Sequence, residues 1–193
     1  MAFPADKALV LLVVMAVFVV GSQAMSRLEL FGMEIPEDAT VTACDGRLVE
    51  VSGSQAELLK LHNEERAEHG VAPLCWRTEL ANSARSHSED MMERGFFSHD
   101  TPEVISPSDR TRSHGYPSAM VGENIHLRQI SGVSESNVRD LEGAVEGWMD
   151  SPRHRRNILD PRLSEIGVGV AIGKHGGDLH TTGAYTVNFG TLE

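Results

Sequence analysis

Apolar positions recur at helical spacing in three stretches of this chain, and two β-branched, glycine-dotted runs follow near its C-terminal end. The first helix is expected from Ser54. There Ser54-Gln55-Ala56-Glu57 has the form of a capping box, in which the serine and glutamate side chains each satisfy the other's free backbone N–H. Leu58, Leu61 and Arg66 continue it, and Gly70 ends it. The spacing of Leu80, Ala84, His87 and Met91 predicts a second helix over Thr78 to Arg94, stopped by Gly95. Val138, Leu141, Val145 and Trp148 form the stripe of a third, over Val138 to Asp150. Ser151-Pro152 then reads as a cap followed by proline in the first helical position, opening a short helix through Leu159.

The segment between the second and third helices carries no such period. From Phe96 to about Asn137 it holds Pro102, Pro107, Gly115, Pro117, Gly122 and Gly132, and is expected to be a long irregular, functional stretch. Ile166 to Ile172 and Ala184 to Phe189 read as strands joined through the polar Lys174 to Gly183 loop as an antiparallel hairpin. Helices flanking a mainly antiparallel sheet make the expected class α+β. No internal repeat or low-complexity tract is visible.

The N-terminal pattern is of another kind. Lys7 precedes thirteen uninterrupted apolar residues, Ala8 to Val20, and small residues Ser22 and Ala24 follow at cleavage-site spacing. This is the pattern of a secretory signal over residues 1–24, removed near Ala24. The apolar run is shorter than the roughly 20 residues of a membrane span. An uncleaved anchor is the alternative, and would be the chain's contact with a membrane. Residues 25–53 read as an extension, with short extended segments between Val41 and Val51 around the turn Asp45-Gly46. Residues 54–193 form the main domain.

Composition sharpens this in two ways. The net charge of −11, without a basic stripe, argues against nucleic acid or anionic lipid as a partner. The two cysteines, Cys44 and Cys75, form a natural disulfide in an oxidising compartment and would tie the extension to the domain. Two buried free thiols are the alternative.

Three chemistry-bearing residues stand at turns or helix ends: His99, Glu123 and His154. Two imidazoles and a carboxylate suffice to hold zinc or another divalent cation with open positions, or to do acid–base work near neutral pH. They are 24 and 31 residues apart, so only the fold could assemble them.

The motifs around them extend the picture. In order they are His62-Asn63-Glu64-Glu65-Arg66, Phe97-Ser98-His99-Asp100, Ser106-Pro107-Ser108-Asp109-Arg110 and Gly122-Glu123-Asn124-Ile125. Trp148-Met149-Asp150-Ser151-Pro152-Arg153-His154-Arg155-Arg156-Asn157-Ile158-Leu159 and Asn188-Phe189-Gly190 complete the series. From about Leu58 to Gly190 the chain resembles the cysteine-rich secretory protein, antigen 5 and pathogenesis-related (CAP) superfamily, in its compact bacterial and archaeal form. The resemblance implies an α-β-α sandwich with a cleft lined by two histidines and two glutamates that can bind a divalent metal, often zinc. By motif, His99 and His154 are the histidines and Glu123 the first glutamate. Ser151 stands where relatives carry the second. Glu146 lies on a different flank of its helix and is no clean replacement. Arg153 stands where relatives often have glycine, and its charge would oppose a cation if it pointed inward.

Supporting roles are expected for His62 and Arg66, which share a helix face and could brace loops through Glu123 or Asp109. Asp109 and Arg110 belong to the same supporting set, and Asn124 is expected to shape a turn after Glu123. His87 reads as a core histidine, and Trp76 and Trp148 as core anchors. His114, His126, His175 and His180 lie in expected loops. The resemblance favours a secreted or envelope-located, non-catalytic binding module for a lipid, glycan or protein surface. A zinc-dependent or His/Glu acid–base hydrolase is the alternative, although the chain has neither Gly-x-Ser-x-Gly nor His-Glu-x-x-His. A stable envelope domain without a ligand is a third reading.

Overall fold

The computed structural model describes residues 35, 37–117, 120–129 and 138–192, with the side chains of residues 138–140 outside that description. The N-terminal apolar segment, its cleavage site and residues 25–34 of the extension also lie outside the described residues. Ile35 to Glu193 forms one compact unit.

Two short strands open it: β1 (Asp38–Thr42) and β2 (Leu48–Ser52), antiparallel from Asp38↔Ser52 to Thr42↔Leu48. The turn between them includes Gly46 at φ 82°, a left-handed conformation that suits glycine. Helix α1 (Gly53–Glu68) follows with no linker. Its capping box is Ser52 with Gln55, not Ser54 with Glu57. Strand pairing explains the shift. Ser52 is still extended opposite Asp38, and the backbone N–H of Gly53 donates to the Glu37 carbonyl, so the helix must begin there. Glu57 instead pairs with Lys60 at 2.8 Å.

After β3 (Cys75–Trp76) comes α2 (Thr78–Arg94), ended by Gly95 at φ 69°. The stretch expected to be irregular contains two elements, α3 (Pro107–Ser113) and β4 (Val121–Gln129). α3 is capped by Ser106, whose hydroxyl accepts from the Asp109 N–H. α4 (Val138–Asp150), α5 (Pro152–Leu159), β5 (Glu165–Lys174) and β6 (Thr181–Gly190) complete the fold, with one 3₁₀ turn at His175–Gly177. Ser151 sits at the α5 N-cap, but its side chain makes no cap hydrogen bond.

The main sheet has the order β3-β5-β6-β4 and is antiparallel except for β3 beside β5. Its two faces follow the period of two. Ile166 and Val168 of β5 and Tyr185, Val187 and Phe189 of β6 are fully buried in one core with Leu58 of α1 and Leu141 and Trp148 of α4. The alternate β5 residues, Gly167 and Gly169, lie against the backbone of α2 at Ala81 and Arg85, closer than any side chain would allow. The result is an α-β-α sandwich. The disulfide Cys44–Cys75 joins the β1–β2 hairpin to the strand at one edge of the sheet. At the other edge, the carbonyls of Glu123 and Ile125 on β4 are taken by Asn157 Nδ2 (3.1 Å) and Trp148 Nε1 (3.0 Å), which cover an otherwise open strand.

Candidate functional site

The site forms at that covered edge. Glu123 lies on the α2 face of β4, opposite Asn188 of β6. His99 comes from the loop leaving α2, and His154 from the first turn of α5. The fold therefore brings His99 and His154 together from opposite layers, with ring centroids 6.5 Å apart.

Arg110 organises the group. Its Nη2 donates to Glu123 Oε2 at 2.5 Å, and its Nη1 donates to the carbonyls of His99 (2.7 Å) and Ile105 (2.9 Å). The Glu123 and Arg110 side chains are 2% and 9% exposed, so this is a buried, hydrogen-bonded ion pair. Glu123 Oε1 accepts from His99 Nδ1 at 2.9 Å. The Asn188 amide, turned so that its oxygen accepts from the Ala84 N–H, adds a bond to Glu123 Oε2 at 3.1 Å. Both carboxylate oxygens are thus occupied.

This fixes the chemistry of His99. A carboxylate only accepts, so Nδ1 carries a hydrogen and Nε2 of the neutral ring presents its lone pair. The His99 side chain is 48% exposed, which leaves it accessible to a ligand. The pKa of His154 is held below the ordinary imidazole value, first by burial and then by the nearby His99. Asn124, fully buried within β4 rather than in a turn, donates to the His154 carbonyl (3.2 Å) and accepts from Asn157 (2.9 Å). That pair registers α5 against β4.

His62 and Arg66 support the site differently from expectation. Both are buried, and neither bonds to Glu123 or Asp109. Arg66 gathers the carbonyls of Ala72, Ile158, Asp160 and Leu163, fixing the end of α5. His62 donates to the Leu58 carbonyl and packs against Trp148 and Phe189. Asp109 pairs at the surface with Arg112. His87 is buried and its Nε2 donates to the Ser98 carbonyl at 2.9 Å, anchoring the residue before His99. His126 lies in β4, its ring against Trp148, and not in a loop. Arg153 and Glu146 are exposed, and Ser151 is half-buried. His87 is the buried histidine that its place on the helix stripe suggests, whereas the roles of Asn157 and Asn188 are not marked by the sequence, although two of the quoted motifs contain them.

Glu123 Oε2 is held by Arg110 and Oε1 by His99, so a divalent cation ligated by His99, Glu123 and His154 together would have to share the carboxylate with those partners. Two imidazoles alone on a tetrahedral zinc, with Zn–N near 2.0–2.1 Å, place their ring centroids about 5.2 Å apart, roughly 1 Å closer than here. Glu123 would then orient His99 from the outer shell. Elsewhere among the described residues, Cys44, Cys75 and Glu165 bring ligand-type atoms within 4.8 Å of one another. There the sulfurs are bonded to each other, and the Glu165 carboxylate is held by Arg77 and by Tyr116 Oη (2.6 Å).

Comparison with known proteins places this geometry. The chain is 37% identical over 119 residues to the Bacillus subtilis protein YkwD, covering 62% of this chain and 43% of that protein. It is 36% identical over 117 residues to the Bacillus subtilis membrane protein YlbC, covering 61% and 31%. An extracellular protein containing an SCP domain from Bacillus anthracis superposes with a TM-score of 0.59 at 27% identity, over 76% of this chain and 47% of that one. An outer surface protein of Borrelia burgdorferi shares the fold, with a TM-score of 0.55 at 18% identity over 70% and 90%. The chain spans less than half the length of these three Bacillus relatives. The model of the cysteine-rich secretory protein family, CAP, matches residues 59–189, which include every residue of the His99, Glu123, Arg110 and His154 cluster, and the chain belongs to that family.

Proposed function

We propose that this protein is a non-catalytic binding module that acts outside the cytoplasmic membrane, secreted or in the cell envelope, and takes a ligand at the His99–His154 surface. The observation that carries this reading is the engagement of both Glu123 oxygens by neighbouring side chains. A carboxylate that gives three of its roughly four acceptor sites to Arg110, Asn188 and His99 supplies a rigid, preorganised support and is poorly placed to activate water. Among the described residues, neither imidazole is hydrogen-bonded to a hydroxyl or thiol that could act as a nucleophile. What the site offers is recognition. The His99 lone pair accepts a hydrogen bond from a ligand hydroxyl or amide, on a loop held by Arg110. The extracellular and outer-surface relatives support the location.

A two-histidine site for zinc or another divalent cation is the second reading, favoured by the way Glu123 orients His99. A panel of ester, phosphoester, peptide and glycoside substrates, run with and without added zinc, separates binding from hydrolysis. Silence under both conditions is expected. Turnover that disappears in His99→Ala and His154→Ala would overturn the proposal.

A further inference from the structure

The loop that carries His99 has a second side. It is pinned from beneath at four positions. His87 holds the Ser98 carbonyl, and Arg110 holds the carbonyls of His99 and Ile105. Thr101 is buried, and its hydroxyl accepts from the Ile105 N–H (3.2 Å). Thr101 and Ile105 also exchange a backbone bond at 3.2 Å. Three apolar residues are exposed on this loop, beside Ser98, His99, Asp100, Pro102 and Glu103. Phe97 is 52% exposed, Val104 77% and Ile105 43%.

Val104 is also the only non-glycine among the described residues at positive φ, 64°. A β-branched residue is strained there, and glycine or asparagine would fit at less cost. So exposed a valine gains nothing from core packing. Neither the fold nor the His99 chemistry accounts for an apolar side chain held outward at this position.

We infer that Phe97, Val104 and Ile105 form a preformed knob that inserts into the surface of a zwitterionic lipid layer whose outermost group is an ammonium. Shape favours a lipid surface. Three exposed apolar side chains stand on one short loop, and a bilayer interface accommodates them without a preformed pocket. Charge selects the lipid. Glu103 shares Arg94 with Asp90, and the exposed Asp100 has no ion pair among the described residues. Its carboxylate, on a chain of net charge −11, complements a headgroup ammonium and opposes an anionic surface. This contact is independent of what the His99–His154 surface binds.

The test uses the full chain with Phe97→Trp as a reporter and vesicles of phosphatidylcholine carrying bromine on the acyl chains. Quenching of the residue-97 indole is expected, with partitioning reduced about fivefold when Val104→Asn is added, for the loss of a partly buried isopropyl group. Asparagine tolerates this backbone conformation, so that variant folds. Replacing half the lipid with phosphatidylglycerol weakens the quenching. Leu48→Trp is the control. Leu48 is 74% exposed, on the hairpin beside β3 at the other edge of the sheet, and an indole there stays unquenched. No quenching at residue 97, equal quenching at residue 48, indifference to Val104→Asn or a preference for phosphatidylglycerol would each overturn the inference. The first of these would return the knob to a protein-docking role.

Discussion

Replacing Arg110 with methionine removes the group that ties Glu123, His99 and the 99–105 loop together. Methionine keeps much of the side-chain length, so the change is mainly the loss of charge and donors. Three hydrogen bonds disappear, at 2.5, 2.7 and 2.9 Å, and Glu123 is left as a carboxylate 2% exposed without its cation. Breaking one half of a buried ion pair costs about 3–5 kcal/mol, dominated by the charge left behind. For a domain of this size each kcal/mol lowers Tm by roughly 2–4 °C, so a fall of about 10 °C is expected. Glu123→Leu alone strands Arg110 and should cost about as much. The double variant strands neither, so its loss should fall at least about 2 kcal/mol short of the sum. Urea unfolding followed by the fluorescence of the buried Trp76 and Trp148 measures all three. Additive losses, or an Arg110→Met loss below about 1 kcal/mol, would refute the claim that this pair organises the site.

Three other outcomes follow from the fold. Gly169→Ala drives a methyl group into the backbone of Arg85 on α2, so cooperative unfolding should be lost or weakened by more than about 4 kcal/mol, as calorimetry will show. Reducing the disulfide, whose cysteines are separated by 31 residues, should cost about 3–4 kcal/mol, read as a shift in urea midpoint with and without dithiothreitol. Burial lowers the pKa of His62 to about 4 from an ordinary value near 6.5. The fold holds the neutral ring, so this contribution is whole above pH 6.5, declines as pH falls towards 4 and levels off below. The loss is about 3 kcal/mol, and His62→Phe should remove that part of the stability–pH profile.

Much of the fold is legible in the chain. Thr78–Arg94 declares itself because its apolar residues keep helical spacing and Gly95 accepts the left-handed stop. Strands β5 and β6 show through because both faces are buried and glycine marks where α2 presses on the sheet. Strand β4 does not show. Glu123, Asn124 and His126 put polar groups on both of its faces, because the site and the α5 contact use them, and alternation is lost. The α1 cap is ambiguous locally, since Ser52 with Gln55 and Ser54 with Glu57 both satisfy the pattern. Only the pairing of Ser52 with Asp38 decides. For the same reason the motifs mark both Arg66 and Arg110, yet only tertiary packing sends Arg110 to Glu123 and Arg66 to the end of α5. His99, Glu123 and His154 are identifiable by motif. That both Glu123 oxygens are already engaged is a property of distances no spacing encodes.

The central claim is that this carboxylate, tied up by its neighbours, makes the site a recognition surface. Native mass spectrometry of protein recovered from its own compartment without chelator, compared with His99→Ala, tests it most directly. A non-covalent organic adduct on the wild type, absent from His99→Ala and with no stoichiometric metal, is the predicted result. One zinc per chain, lost in both His99→Ala and His154→Ala, would contradict it.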